Sequence, residues 1–420
     1  MDTTTPLTGE DHVVIIGGGL ASVELADALR QQGYPGRLTL VCAETHAPYQ
    51  RPPLSKDLKL TDAVLEVLPL RGPGFFEAND VDARFGVTAE HIDRAARRVR
   101  LSDGSDLDYT HMVLATGARN RSLPVVGAEL IGVQALRTFD DAAVLQTALS
   151  HAENVVIVGA GFIGLEVAAC ANGLGKNVTV LEFAERPMGR ALSPLSSGHI
   201  AETHRTAGID LRLGEGIERI EGEAGSVAVA LGSSGTRYPA DTVLIGVGVA
   251  PNTELAEAAG LAVDNGILVD ARLRTEDPRI WAIGDCANYP NAHSRSMTRL
   301  ESVQNATDQA RYLATALTAA SAEDPGDYCS LPWFWSNQGP VRIQIAGLII
   351  PGDETVLHGD PASGKFSVLA FRDGVLAAVE SINSPRDHRA ARALLSAPVP
   401  PTREQLADPE LDLRAFAAVK

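Results

Sequence analysis

Two stretches of this chain repeat one pattern, and that pattern restricts the fold more than any other feature. The first begins with the β-branched run His12-Val13-Val14-Ile15-Ile16 and turns at Gly17-Gly18-Gly19. Apolar residues at helical spacing follow (Leu20, Val23, Ala26, Leu29) as far as Gly33, and then a second apolar run, Leu38-Thr39-Leu40-Val41. About 140 residues on, Val155-Val156-Ile157-Val158 leads into Gly159-Ala160-Gly161-Phe162-Ile163-Gly164, a helical stretch to Gly175 and the run Val178 to Leu181 ending at Glu182. Strand, glycine turn, helix, strand is the opening of a doubly wound α/β domain, and its recurrence implies an internal duplication. Each copy is closed by a further apolar run, MVLATG at Met112–Gly117 and TVLIGVG at Thr242–Gly248.

A glycine turn between strand and helix lets the backbone approach a pyrophosphate at a helix N-terminus, where unused N–H groups and the helix dipole favour an anion. One such turn is weak evidence. Two, each followed by a strand ending near an acid, predict two dinucleotide sites. The first turn reads Gly17-x-Gly19-x-x-Ser22, with serine in the third position, and its ribose acid is Glu44 or, one residue earlier, a position held by Ala43. The second turn keeps all three glycines, and Glu182 follows at the expected distance. A carboxylate there accepts from a ribose 2′-hydroxyl and repels a 2′-phosphate, which predicts NADH over NADPH; Arg186 and Arg190, just beyond, soften that preference.

From about Cys329 the glycine pattern stops. Short alternating runs (Val341 to Ala346, Thr355 to His358, Phe366 to Phe371, Val375 to Val379), separated by Pro351-Gly352-Asp353 and Arg372-Asp373-Gly374, predict an antiparallel sheet, followed by a helix from about Arg386 to Leu395. The fold class is therefore α/β: two Rossmann-like dinucleotide-binding domains plus a C-terminal α+β domain with an antiparallel sheet.

Composition narrows the function. With 36 Lys+Arg against 53 Asp+Glu, the formal charge is -17, which disfavours nucleic acid and anionic membranes as partners. No apolar run approaches a membrane span, and the polar, acidic start lacks the order of a signal peptide, so the expected location is cytoplasmic. The four cysteines (Cys42, Cys170, Cys286, Cys329) form no CxxC or CxxxxC, which removes the common zinc spacings and a sequence-local redox disulfide; no metal site is expected.

Several motifs together resemble the FAD-dependent NAD(P)H:ferredoxin reductases that serve bacterial oxygenases. They are PYQRPPLSK at Pro48–Lys56, LATG at Leu114–Gly117, LRT at Leu136–Thr138, GFIGLE at Gly161–Glu166, AIGDCA at Ala282–Ala287, ESVQNA at Glu301–Ala306 and PWFWSNQ at Pro332–Gln338. The resemblance spans essentially the whole chain. It implies FAD on the first glycine turn and NADH on the second, with an FAD domain at 1–117 and 249–328, an NADH domain at 118–248 and a C-terminal interface domain at 329–420. It implies that Gly17, Gly19, Leu20, Ala21, Glu44, Arg51, Lys56, Val87, Thr116, Gly117, Arg137, Gly284, Asp285, Val303 and Trp335 line FAD. Gly159, Gly161, Phe162, Ile163, Gly164, Glu166, Glu182, Arg190, Gly246 and Gly248 are the corresponding NADH positions. Lys56 and Glu166 match a pair beside the flavin N5, and Trp335 matches an aromatic packed near the isoalloxazine. Asn337 stands where the family usually has aspartate.

The implied reaction passes a hydride from NADH to FAD N5 and then two single electrons to a [2Fe–2S] ferredoxin, which feeds a dioxygenase or cytochrome P450. Residues 329–420 hold nine basic and ten acidic residues, so nearly all the net negative charge lies in the nucleotide domains. An acidic ferredoxin needs a local positive patch, and Arg386, Arg389 and Arg392, with Arg311, are the candidates. Three other classes share the scaffold. A disulfide reductase needs the missing CxxxxC, an NADH oxidase needs a redox cysteine beside the flavin, and an interaction protein of the apoptosis-inducing-factor type uses NADH as a switch.

Overall fold

The computed structural model describes residues 6–56, 58, 68–319, 324–408 and 411–419. Strand β1 (His12–Ile16) leads through the first glycine turn into helix α1 (Leu20–Gln31) and β2 (Arg37–Cys42); β3 (Asp82–Phe85) and β4 (His111–Leu114) follow. The second series is β5 (Asn154–Val158), α2 (Phe162–Gly173), β6 (Asn177–Glu182), α3 (Pro194–Thr206), β7 (Asp210–Leu213) and β8 (Thr242–Ile245). The chain continues with β9 (Ile280–Ala282), α4 (Val303–Thr318), β10 (Trp333–Gln338), β11 (Val341–Gly347), β12 (Glu354–Asp360), β13 (Lys365–Arg372), β14 (Val375–Ile382) and α5 (Pro385–Leu395).

The chain forms two compact units. The first comprises Met1–Gln50, Leu68–Arg119 and Ala250–Pro332. Its central sheet has the order β9-β4-β1-β2-β3, and every pairing is parallel, with Val14 opposite both Thr39 and Met112. All five residues of β1 are buried, which is why its sequence runs apolar without alternation: a parallel strand is covered on both faces. Leu25 and Leu29 of α1 and Ala310, Leu313 and Leu317 of α4 join the same core. Full burial of one such aliphatic side chain contributes roughly 1.5–3 kcal/mol.

The second unit comprises Arg51–Val67, Asn120–Val249 and Trp333–Lys420. Its parallel sheet has the order β7-β6-β5-β8, extended at the edge by Val133–Gln134. Its antiparallel sheet has the order β10-β11-β14-β13-β12, and α5 packs on β11 and β14 through His388, Ala391, Leu394 and Leu395. The four C-terminal runs expected as strands are strands, and Trp333–Gln338 adds a fifth. The C-terminal sheet and residues 120–249 thus share one compact unit.

Candidate functional site

In the first unit, Gly17 turns the chain with φ +129°, and a Cβ there would lie 2.1 Å from the Ala115 carbonyl oxygen. A Cβ on Gly18 would lie 2.0 Å from Cys42 Sγ. Gly19 differs: it is the N-cap of α1, no side chain caps it, and no protein atom lies within 4 Å of its missing Cβ. Packing does not require glycine at that position, whereas close approach of an anion to the Leu20 and Ala21 end of the helix does. Gly284 turns with φ +74° just after β9, and a Cβ on it would come within 3.2 Å of the Ala21 side chain, so the Gly284-Asp285 turn lies against the start of α1. Gln309 of α4 holds that turn by accepting the Gly284 N–H at 2.7 Å.

The remaining first-unit candidates gather at the carboxyl ends of the same parallel strands, where open α/β sheets bind ligands. Glu44 follows β2, and its carboxylate accepts from the Tyr49 hydroxyl at 2.5 Å; Ala43 is exposed. The Glu44 carbonyl accepts from Gly86, and Val87 donates its N–H to the Cys42 carbonyl, which ties Val87 to the same strand end. Thr116 donates to the Asn252 carbonyl at 2.7 Å, and the Gly117 carbonyl accepts the Asn252 N–H. Val303 is the first residue of α4.

The second unit repeats the turn. A Cβ on Gly159 (φ +106°) would meet the Gly246 carbonyl oxygen at 2.4 Å, and one on Gly164 would meet the Gly159 carbonyl oxygen at 2.2 Å. Gly161, the uncapped N-cap of α2, again faces nothing within 4 Å. Glu182 ends β6, and its carboxylate accepts the N–H groups of Ala160 (2.6 Å) and Ala184 (2.9 Å), so it is fixed beside the turn. Gly248 has φ +92°, and its carbonyl accepts from Arg121. Arg186 is spent on the chain, donating to the carbonyls of Leu192 and Gly189, while Arg190 is exposed. Phe162 packs its ring 4.6 Å from that of Phe334, and Ile163 is partly exposed at the helix start.

Lys56 and Glu166 meet as an ion pair, Nζ to Oε2 at 2.7 Å, with the carboxylate almost fully buried. Three residues that sequence reasoning did not single out for chemistry complete the cluster. Ser55 donates to Glu166 Oε2 at 2.6 Å, Ser336 donates to Oε1 at 2.5 Å, and Gln338 donates to Ser336 at 2.7 Å. The period-two alternation of β10 carries the signal that was missed: Phe334, Ser336 and Gln338 share the face opposite Trp333, Trp335 and Asn337. Trp335 is half-buried and stacked on Trp333, over which Arg392 lies at 4.6 Å; Asn337 is exposed. Arg51 donates to the Arg137 carbonyl at 2.7 Å, which brings those two candidates together. Arg386, Arg389 and Arg392 are all exposed on α5. Arg311 belongs to the first unit, where its exposed guanidinium pairs with Glu24 at 3.2 Å.

Two uncapped helix starts with open central glycines, each with an acid at the neighbouring strand end, suit two dinucleotides. In line with that geometry, residues 11–310 match the pyridine nucleotide-disulphide oxidoreductase family and residues 333–417 match the reductase C-terminal domain. The chain belongs to that family, as one of its ferredoxin reductases; it is an oxidoreductase whose cofactors are FAD and NAD(P)H. It is 48% identical over 406 residues to rhodocoxin reductase of Rhodococcus erythropolis, covering 97% of this chain and 94% of the relative. Its structure is similar to that of the ferredoxin reductase for the CYP199A2 system of Rhodopseudomonas palustris (42% identity, TM-score 0.92, covering 97% of this chain and 100% of that one). It is likewise similar to putidaredoxin reductase in its covalent complex with putidaredoxin (37% identity, TM-score 0.93, covering 98% and 99%). Among the described residues no helix is long and apolar enough to cross a membrane.

Proposed function

We propose that this chain is an NADH:ferredoxin reductase that supplies electrons to a bacterial oxygenase through a small [2Fe–2S] protein. One observation carries the reading beyond family membership. Members that reduce disulfides need a cysteine pair, whereas here the four cysteines form no CxxC or CxxxxC and the Lys56–Glu166 pair is the charged cluster that the family resemblance assigns to the flavin N5. Without a dithiol to receive them, electrons leave the protein to an external acceptor. FAD, when bound, supplies the conversion of a two-electron hydride into single electrons.

The protein's own part is positioning. The first-unit turn holds the FAD pyrophosphate at Gly17–Ala21, with Asp285, Thr116, Val87 and Val303 beside it and Glu44 on the adenosine ribose. Lys56, Arg51, Arg137 and Trp335 serve the flavin end. The second-unit turn, Gly159–Gly164, holds the NADH pyrophosphate, with Gly246, Gly248 and Arg190 along its course. In domain terms, 1–117 with 249–328 takes FAD, 118–248 takes NADH and 329–420 is the interface domain. Glu182 sets the preference for NADH, because its fixed carboxylate suits a 2′-hydroxyl and Arg186 is occupied by backbone carbonyls. Glu182→Ala is expected to raise kcat/KM for NADPH relative to NADH; an unchanged ratio refutes the assignment. A cytoplasmic setting agrees with four reduced thiols.

The docking surface is the arginine face of α5, where Arg386, Arg389 and Arg392 present positive charge on a domain of balanced composition. The direct test is NADH-dependent reduction of a purified acidic ferredoxin, coupled to cytochrome c, across a salt series. Fast, salt-sensitive turnover supports the reading, and charge reversal at Arg386 and Arg389 flattens the salt dependence. Slow turnover with every ferredoxin, despite rapid flavin reduction by NADH, refutes it.

A further inference from the structure

The cluster around Glu166 has a direction. Gln338 and Ser336 are fully buried and His204 is nearly so, so none of these groups can exchange its partner for bulk water. The Gln338 amide nitrogen has two hydrogens, and both have acceptors: the Phe162 carbonyl at 3.2 Å and Ser336 Oγ at 2.7 Å. Turning the amide over would set its oxygen against the Phe162 carbonyl, so its orientation is fixed. Gln338 Oε1 then faces His204 Nε2 at 3.2 Å and can only accept, which puts the imidazole proton on Nε2. Burial lowers the His204 pKa, so a single ring proton suffices for this role. Ser336, already accepting from Gln338, has one hydrogen, and it points to Glu166 Oε1. Lys56 and Ser55 donate to Oε2.

We propose that Ser336 and Gln338 are positioning residues that lock Glu166 as a fixed acceptor for Lys56, so that the first strand of the C-terminal sheet completes the charged pair on which hydride transfer depends. Each bond linking His204, Gln338, Ser336 and Glu166 in turn is donated toward the carboxylate. For a proton to pass from Glu166 toward His204, the Ser336 hydroxyl and the Gln338 amide would both have to reverse, and the Phe162 carbonyl opposes the second reversal. The chain therefore holds the carboxylate toward Lys56 and offers no proton route to His204. The C-terminal strand contributes two functions on its two faces: Trp333 and Trp335 on one, the lock on the other.

This inference rests on the reductase reading above, and the experiment separates their failures. The FAD-loaded wild type, Ser336→Ala, Glu166→Gln and the double variant are compared by anaerobic stopped flow with NADH, alongside the flavin midpoint potential and the thermal unfolding midpoint. Ser336→Ala is expected to slow flavin reduction roughly tenfold, as loss of a hydrogen bond to a charged group implies, and to move the flavin potential while FAD content and unfolding stay as in wild type. In the Glu166→Gln background the same substitution should add nothing, because the two act through one carboxylate. Gln338→Glu, which puts an acceptor where Ser336 now finds a donor, should reproduce the Ser336→Ala rate. If Ser336→Ala leaves rate and potential unchanged, or slows the enzyme equally with and without Glu166, the lock is refuted. If wild type itself fails to reduce flavin with NADH, the reductase reading falls instead.

Discussion

Glu380 provides the sharpest test of how the second unit holds the loop between β6 and α3. It lies on β14 with no solvent exposure, and its carboxylate accepts from the Ser193 N–H (2.6 Å), the Ser193 hydroxyl (2.6 Å) and the Ser196 hydroxyl (2.5 Å). Ser193 is the N-cap of α3, so Glu380 anchors the start of that helix and the end of the loop that begins at Glu182. Glu380→Ala strands three buried donors. At about 1–3 kcal/mol each the gross cost is large, but burial pushes the Glu380 pKa up and part of that desolvation penalty is recovered when the carboxylate is removed. A net loss of about 3 kcal/mol is expected. The sign with pH follows from the raised value. The folded protein binds a proton that the unfolded chain releases, so this contribution is present at low pH and is lost as pH rises through the folded pKa. The gap between wild type and Glu380→Ala should therefore widen as pH falls toward the ordinary carboxylate range. Urea unfolding with FAD saturating gives the stability, and steady-state kinetics should show a raised KM for NADH with a smaller change in kcat. A stability change under about 0.5 kcal/mol, together with an unaltered KM, would refute the anchoring role.

Two glycine variants separate folding from binding. Gly19→Ala and Gly161→Ala meet no protein atom within 4 Å, and neither glycine has a positive φ, so both should fold normally. Gly19→Ala should lose bound FAD, read from the flavin absorbance of the purified protein, whereas Gly161→Ala should keep FAD and raise the KM for NADH by about tenfold or more. His388 is buried beside Trp333, and its pKa is lowered to about 4 by burial and by Arg392 and Arg342. It is neutral when folded, so stability should fall by about 2 kcal/mol, allowing for solvent screening, as pH drops from 6.5 through 4. His388→Leu should flatten that acid limb in urea unfolding.

The elements that carry regular signals were legible in the sequence. The duplicated turns, the strands around them, the four C-terminal strands and α5 all follow from local periodicity and glycine placement. An acid at a strand end is a local feature, so Glu44 and Glu182 could be picked out as candidates from spacing alone; in the structure Glu44 accepts from the Tyr49 hydroxyl and Ala43 is exposed. What stayed hidden depends on contacts between distant segments. Ser336 lies 170 residues from Glu166, and Ser193 lies 187 from Glu380, and no spacing rule links such pairs. Buried polar side chains find partners because an unpaired group costs too much, but the sequence does not say which partner.

The duplication is of backbone, and the two copies are packed to different tolerances. In the second turn the third glycine is obligatory, because a Cβ on Gly164 would lie 2.2 Å from the Gly159 carbonyl oxygen. In the first turn the equivalent position holds Ser22, fully buried, so α1 leaves room for a side chain where α2 leaves none. The first turn is tight elsewhere, at Gly18 against Cys42, where the second turn has Ala160 fully buried and tied to Glu182 through its N–H. Two positions behave alike in both: the first glycine, Gly17 or Gly159, whose Cβ would strike a carbonyl oxygen, and the central glycine, Gly19 or Gly161, open on the side of the helix start. Packing accounts for the first glycine and has drifted at the second and third turn positions, whereas the open position is glycine in both copies with no packing contact to require it. That is the pattern expected if a ligand, and not the protein interior, dictates glycine there.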